Sequence, residues 1–229
     1  MGEGLSAAEV GKEISEHSAH TRAEHRSDLV SIIEAVLLAT VALFAGWSGF
    51  ASSKWSTESR LNLAQSSTAR AQASRADLQA MENRNFDSST FNAWFTAFIA
   101  GDQEAMTIAE RRFRPQFQVA FDAWRATNPD TNPNAPKGPT YMPEYKQPQK
   151  ELAAKLDAKA DKKYEEGQKA AVNADDYVRI TVYLATVLFL VGISGHFRLK
   201  SARYGLVIVG VIVLVVAVGA LTTLPGPPA

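Results

Sequence analysis

Residues 29–51 read LVSIIEAVLLATVALFAGWSGFA, a run in which Glu34 is the single charged residue. An α-helix rises about 1.5 Å per residue, so about 20 apolar residues cross a bilayer core of about 30 Å. The run meets that length. Inside lipid, backbone N–H and C=O groups have no water to bond, so an apolar stretch of this size folds as a spanning helix.

Two more runs carry the same signal. Residues 206–224, LVIVGVIVLVVAVGALTTL, contain no charge at all. Residues 180–195, ITVYLATVLFLVGISG, are short, but Tyr177 and Val178 extend them past Arg179. A long basic side chain at that point snorkels to the interface. The sequence therefore predicts three transmembrane helices, over 29–51, 177–196 and 205–224. The first is not expected to be a cleaved signal peptide, because an acid-containing segment of residues 1–28 precedes it and its apolar stretch is too long.

Bulk composition conceals this organisation. Across 229 residues, 24 Lys and Arg balance 24 Asp and Glu, and the mean hydropathy is −0.13. A neutral chain lacks the basic excess expected of a nucleic-acid-binding domain. The absence of cysteine excludes disulfides, thiolate metal sites and cysteine nucleophiles.

Orientation rests on the connector between the second and third runs, GHFRLKSARYG, which carries Arg198, Lys200 and Arg203 and no acid. Basic residues in short loops stay cytoplasmic. This predicts a cytoplasmic loop at 197–204, a cytoplasmic segment at 1–28, an extracytoplasmic region at 52–176 and an outer tail at 225–229. Trp47 and Trp55 suit an outer interfacial belt. The expected location is a bacterial plasma (inner) membrane.

The outer region reads as helical throughout. No Pro or Gly occurs from Ala51 to Arg84, and Ala, Gln, Arg, Leu and Glu dominate. Its apolar stripe is thin: Leu61, Ala64, Ala71, Leu78 and Met81. A second helix follows residue 148, with Leu152, Leu156, Ala160 and Tyr164 recurring on one face. Paired antiparallel, the two make a stalk, with Gly167 as its expected weak point. Between them, Ser88–Thr90 offer N-caps and Gly101 a stop. Phe91, Trp94, Phe95, Phe98 and Ile99 form a dense aromatic face. Asp102 caps a further helix, and Pro115 interrupts it before Phe117, Phe121 and Trp124. This is a small aromatic head, read as a core or subunit contact, with a ligand pocket as the alternative. The fold class is thus all-α and integral to the membrane, with a helical stalk-and-head domain outside it.

The segments ERRFRPQF (110–117), AFDAWRAT (120–127) and NPDTNPNAPKGPTYMPEY (128–145) resemble a region of bacterial three-pass membrane proteins to which no activity is assigned. The shared layout covers most of residues 25–225. The resemblance implies topology and a bacterial membrane, and carries over no catalytic residue.

Several residues invite chemistry. Arg111, Arg112 and Arg114 suit an oxyanion, though pairing with Glu104, Glu110 or Asp122 is the expected arrangement. Asp130, Asn132 and Asn134 have the opening spacing of a calcium loop, but Ala135 and Tyr141 stand where Gly and Glu are required. The prolines from 129 to 148 instead suit a stiff loop anchored by Tyr141, Met142 and Tyr145. Glu13, His17, His20 and Glu24 share one helical face, with His17 and His20 as weak metal candidates. Glu34 is a shallow intramembrane acid, read as interfacial or as a ring residue of a pore. Ala35/Ala39, Ala42/Gly46 and Ala45/Gly49 permit close helix contact.

No phosphate loop, nucleophile elbow or HExxH motif is present. The sequence thus reads as a non-enzymatic interaction or structural protein without cofactor, associating with a lipid bilayer and with copies of itself. An oligomeric ion-conducting pore and an extracytoplasmic ligand sensor are the alternatives. The partner surface expected is Phe91, Trp94, Phe95, Phe98, Arg111, Arg112, Arg114 and Trp124.

Overall fold

A computed structural model describes the backbone of residues 7–197 and 199–228, and the side chains of 31–197, 199 and 201–228. Its elements are α1 (Ala7–Ala100), α2 (Gln103–Glu110), α3 (Pro115–Ala126), a 3-10 turn at Pro139–Tyr141, α4 (Pro148–Ser194) and α5 (Lys200–Thr223). No strand occurs among the described residues, so the chain is all-α. Three helices, α1, α4 and α5, are long and apolar enough to cross a membrane. These are the features of a multi-pass membrane protein.

The chain divides into two compact units, residues 1–60 with 167–229, and residues 61–166. In the first, Val41 of α1, Ile180, Leu184, Val187 and Val191 of α4 and Ala217 of α5 form a buried core. Leu43, Phe189 and Val215 point outward, as lipid-facing side chains do. Ser48 donates to the carbonyl of Tyr177 at 2.8 Å, and the Tyr177 hydroxyl donates to the carbonyl of Pro225 at 2.9 Å. Gly210 brings α5 against α4: a Cβ added there meets Val191 Cγ2 at 3.0 Å. By contrast, nothing lies within 4 Å of a Cβ built at Gly46 or Gly49. Those two glycines do not serve packing among the described residues.

In the second unit, α1 and α4 run antiparallel along a seam of small residues. Asn62, Ser66, Ala69, Ala73, Ala76 and Ala80 are buried on α1, facing the chain that buries Ala153 and Ala160 on α4. The 3,4 spacing is that of a heptad seam. Ser66 donates to the Ala160 carbonyl at 2.8 Å, and Arg70 pairs with Asp161 at 2.8 Å. On α1 the expected stripe has the wrong phase, since Leu61, Leu78 and Met81 are 53–58% exposed; on α4 the expected face is buried only in part, with Ala160 inside the seam and Leu152 and Tyr164 exposed at 45% and 48%. Small side chains let two backbones approach closely, and that close approach excludes the larger ones.

The remaining part of this unit surrounds the end of α1. Two expected boundaries hold: Gly101 takes a φ of +71° past α1, and the Asp102 side chain accepts from the Ala105 N–H at 2.9 Å. Pro115 opens α3 at its first position, where a missing N–H costs nothing. Ser88–Thr90, however, cap nothing. They lie inside α1, where the Thr90 hydroxyl bonds the carbonyl of Phe86 four residues back. Gly167 does not break α4 and is buried.

Candidate functional site

The densest side-chain constellation lies in the unit of residues 61–166. Trp94, Ala109, Phe113, Phe117, Phe121 and Trp124 form a core flanked by Phe91, Phe98, Met106, Met142 and Tyr145. Edge-to-face contacts dominate, with Trp94–Phe121 and Phe113–Phe117 ring centres 4.9 Å apart. Aromatic quadrupoles favour this arrangement over face-to-face sandwiches. Both indoles are satisfied: Trp94 Nε1 donates to Glu110 Oε1 and Trp124 Nε1 to the carbonyl of Pro136, each at 2.8 Å.

Phe91, Trp94, Phe98 and Trp124 therefore belong to one core, while Phe95 stays 43% exposed and Ile99 lies on the surface. Where a ligand cation would sit against Trp94 and Phe98, the chain places its own Arg125, 5.3 Å from each ring centre. Asp130 holds that guanidinium at 2.9 Å. The calcium-like triplet is also used internally: Asn132 donates to the Thr127 carbonyl and accepts from the Asn134 N–H. No group of three metal-ligating residues forms among the described residues. Glu13, His17, His20 and Glu24 lie outside the described side chains.

The arginines separate. Arg111 and Arg112 are exposed, and two of the three acids expected to pair with them are engaged elsewhere, Glu110 by Trp94 and Asp122 by Gln118. Arg114 turns instead to Asp87 on α1. Its Nε and Nη2 donate to the two carboxylate oxygens at 2.8 and 2.6 Å, and the Tyr145 hydroxyl adds a third bond at 2.9 Å. Asp87 is wholly buried. A buried carboxylate is tolerable only with such complete pairing. The bonds to Asp87 raise the Arg114 pKa. Burial, followed by the Asp87 hydrogen bond and charge, pushes the Tyr145 phenol up to about 12. Among the loop anchors, Met142 and Tyr145 pack inward while Tyr141 is exposed.

Asp87 was not singled out by sequence reasoning. The signal was present, since residue 87 continues the sevenfold series 66, 73 and 80 of buried positions. An acid on a buried seam demands a cation, and Arg114 supplies it from the N-cap of α3.

In the membrane unit, Glu34 is not left alone. Arg203 Nε and Nη2 donate to its two oxygens at 2.9 and 2.5 Å, and Ser194 Oγ donates at 3.2 Å. One residue from each of α1, α4 and α5 meets at this point. Arg203 lies in α5, since that helix begins at Lys200 and takes in part of the expected loop 197–204. Arg198 is not described, nor is the Lys200 side chain. Arranged this way, the polar residues of both units act as locks between helices.

No family model matches this chain, and comparison with the curated proteins and with the solved structures found no match.

Proposed function

We propose that the chain is a non-enzymatic, membrane-anchored interaction protein that associates with copies of itself through residues 61–166. In this reading the alanine seam is a stalk outside a bacterial inner membrane, and the aromatic core its head. The observation that carries the reading is the exposure of large apolar side chains on the long helices. Leu61, Ala64, Ala71 and Leu78 recur at three- and seven-residue steps on the side of α1 away from its buried seam. Such spacing keeps a stripe in register with a neighbouring helix. Leaving Leu61, Leu78 and Met81 half-exposed to water is unfavourable, and a second copy held in the same membrane presents a matching stripe. The unused Gly46 and Gly49 in α1 supply a further close-contact surface within lipid.

The pore alternative is less well supported, because the Glu34 carboxylate is already engaged by Arg203 and Ser194. A sensor built on the aromatic face is less well supported too, because Arg125 occupies that face.

The test is the mass of the complex in lipid nanodiscs. Wild-type protein is expected as a dimer or higher oligomer. The Leu61→Glu/Leu78→Glu variant, with helical content unchanged, is expected to run as a monomer. Wild-type protein that stays monomeric at every concentration overturns the reading.

A further inference from the structure

Where the loop from the 3-10 turn re-enters α4, a cavity of about 110 Å³ opens against α1 and the start of α3. Asn83, Arg114, Gln116, Lys146, Gln147 and Gln149 line it, and no carboxylate does. We propose that this cleft is a binding site for a small oxyanion, a phosphate- or carboxylate-bearing molecule. The proposal does not depend on self-association.

Three observations converge on it. First, the lining side chains are hydrogen-bond donors left without protein acceptors. Asp87 takes Nε and Nη2 of Arg114, and Nη1 has no partner among the described residues. Among the described residues, Lys146 forms no ion pair and the side-chain amides of Asn83, Gln116, Gln147 and Gln149 donate to no protein group. Second, Asp87 and Tyr145 hold the Arg114 fork rigid from behind. A guanidinium fixed in this way is preorganised for a planar or tetrahedral oxyanion, and a nearby ammonium adds charge. Asp87 offsets one positive charge, so Lys146 supplies the net attraction. Third, the size is selective. Pockets for drug-sized ligands run from about 300 Å³ upward. The cleft therefore suits an anionic group of a few heavy atoms, and a nucleotide is too large for it.

Full-length protein in neutral-lipid nanodiscs would be titrated calorimetrically with inorganic phosphate and, separately, with acetate, at low ionic strength and pH 7. Saturable binding of at least one anion is expected. Lys146→Met is expected to weaken it at least tenfold, with the thermal unfolding profile unchanged. Lys137→Met, at an exposed lysine that does not line the cleft, is expected to leave binding as in wild type. Stronger phosphate binding points to a phosphate-bearing ligand; comparable acetate binding points to a carboxylate. Absence of saturation with both anions overturns the site, as does equal loss in the Lys137→Met control or none in Lys146→Met.

Discussion

At the residue scale, two carboxylates organise this protein, and each is matched by a forked arginine from a distant part of the sequence. Asp87 meets Arg114, and Glu34 meets Arg203. Replacing a buried pair by apolar residues often costs little, whereas removing one partner strands a charge and is strongly destabilising. The pairs therefore specify which helices meet, more than they add net stability. Tyr145 gives the first of them a pH signature. Its phenol has a folded-state pKa of about 12, against an ordinary value of 10.0. The folded chain thus favours the neutral phenol. Its contribution is complete below about pH 10 and is lost as pH rises toward about 12. Tyr145→Phe also removes one hydrogen bond to Asp87, so it is expected to destabilise by about 1 kcal/mol at pH 7. Denaturant unfolding followed by tryptophan fluorescence should show the two proteins converging between pH 10 and 12. A gap that stays constant across that window would mean that neither burial nor Asp87 raises the pKa of the phenol in the folded chain.

At the element scale, what was legible in the sequence was whatever a single helix declares by itself. The apolar runs, the stop at Gly101, the cap at Asp102 and the break at Pro115 are local signals, and the structure has each of them. The facing of α1 was not legible, because it is decided by the neighbour. A reading that follows large apolar residues selects Leu61 and Leu78, while the antiparallel pair buries Ser66, Ala69, Ala73 and Ala76. The Asp87–Arg114 pair was hidden for the same reason: its members are 27 positions apart and meet only once α3 has folded against α1. Close approach also governs the membrane elements. A methyl group added at Gly210 stands 3.0 Å from Val191 Cγ2, tighter than ordinary contact. Overpacking of this kind costs about 1–3 kcal/mol. Gly210→Ala is accordingly expected to lower the thermal unfolding midpoint in detergent, and Val191→Ala in the same chain to recover most of the loss. If Val191→Ala only adds to the damage, α5 does not pack on α4 through this glycine.

At the scale of the whole molecule, the charge distribution makes a definite prediction about the side of the membrane on which residues 61–166 lie. Pairing with Glu34 takes Arg203 out of the count of free basic residues at the connector, because the charge is neutralised locally. Arg198 and Lys200 remain, and the tail 225–229 carries no side-chain charge. The excess still favours a cytoplasmic connector. The long region's own lysines have little influence, since long segments translocate largely regardless of charge. A chain with no cysteine allows a direct reading. Asn132→Cys, at an exposed loop position, is expected to react with a membrane-impermeant maleimide in spheroplasts. His196→Cys, at the connector, is expected to react only after permeabilisation. The reverse pattern would place the aromatic core and the oxyanion cleft in the cytoplasm. It would also mean that the Glu34–Arg203 pair had cancelled enough of the connector's charge to let the other flanks, Lys54 and Arg60 among them, determine insertion.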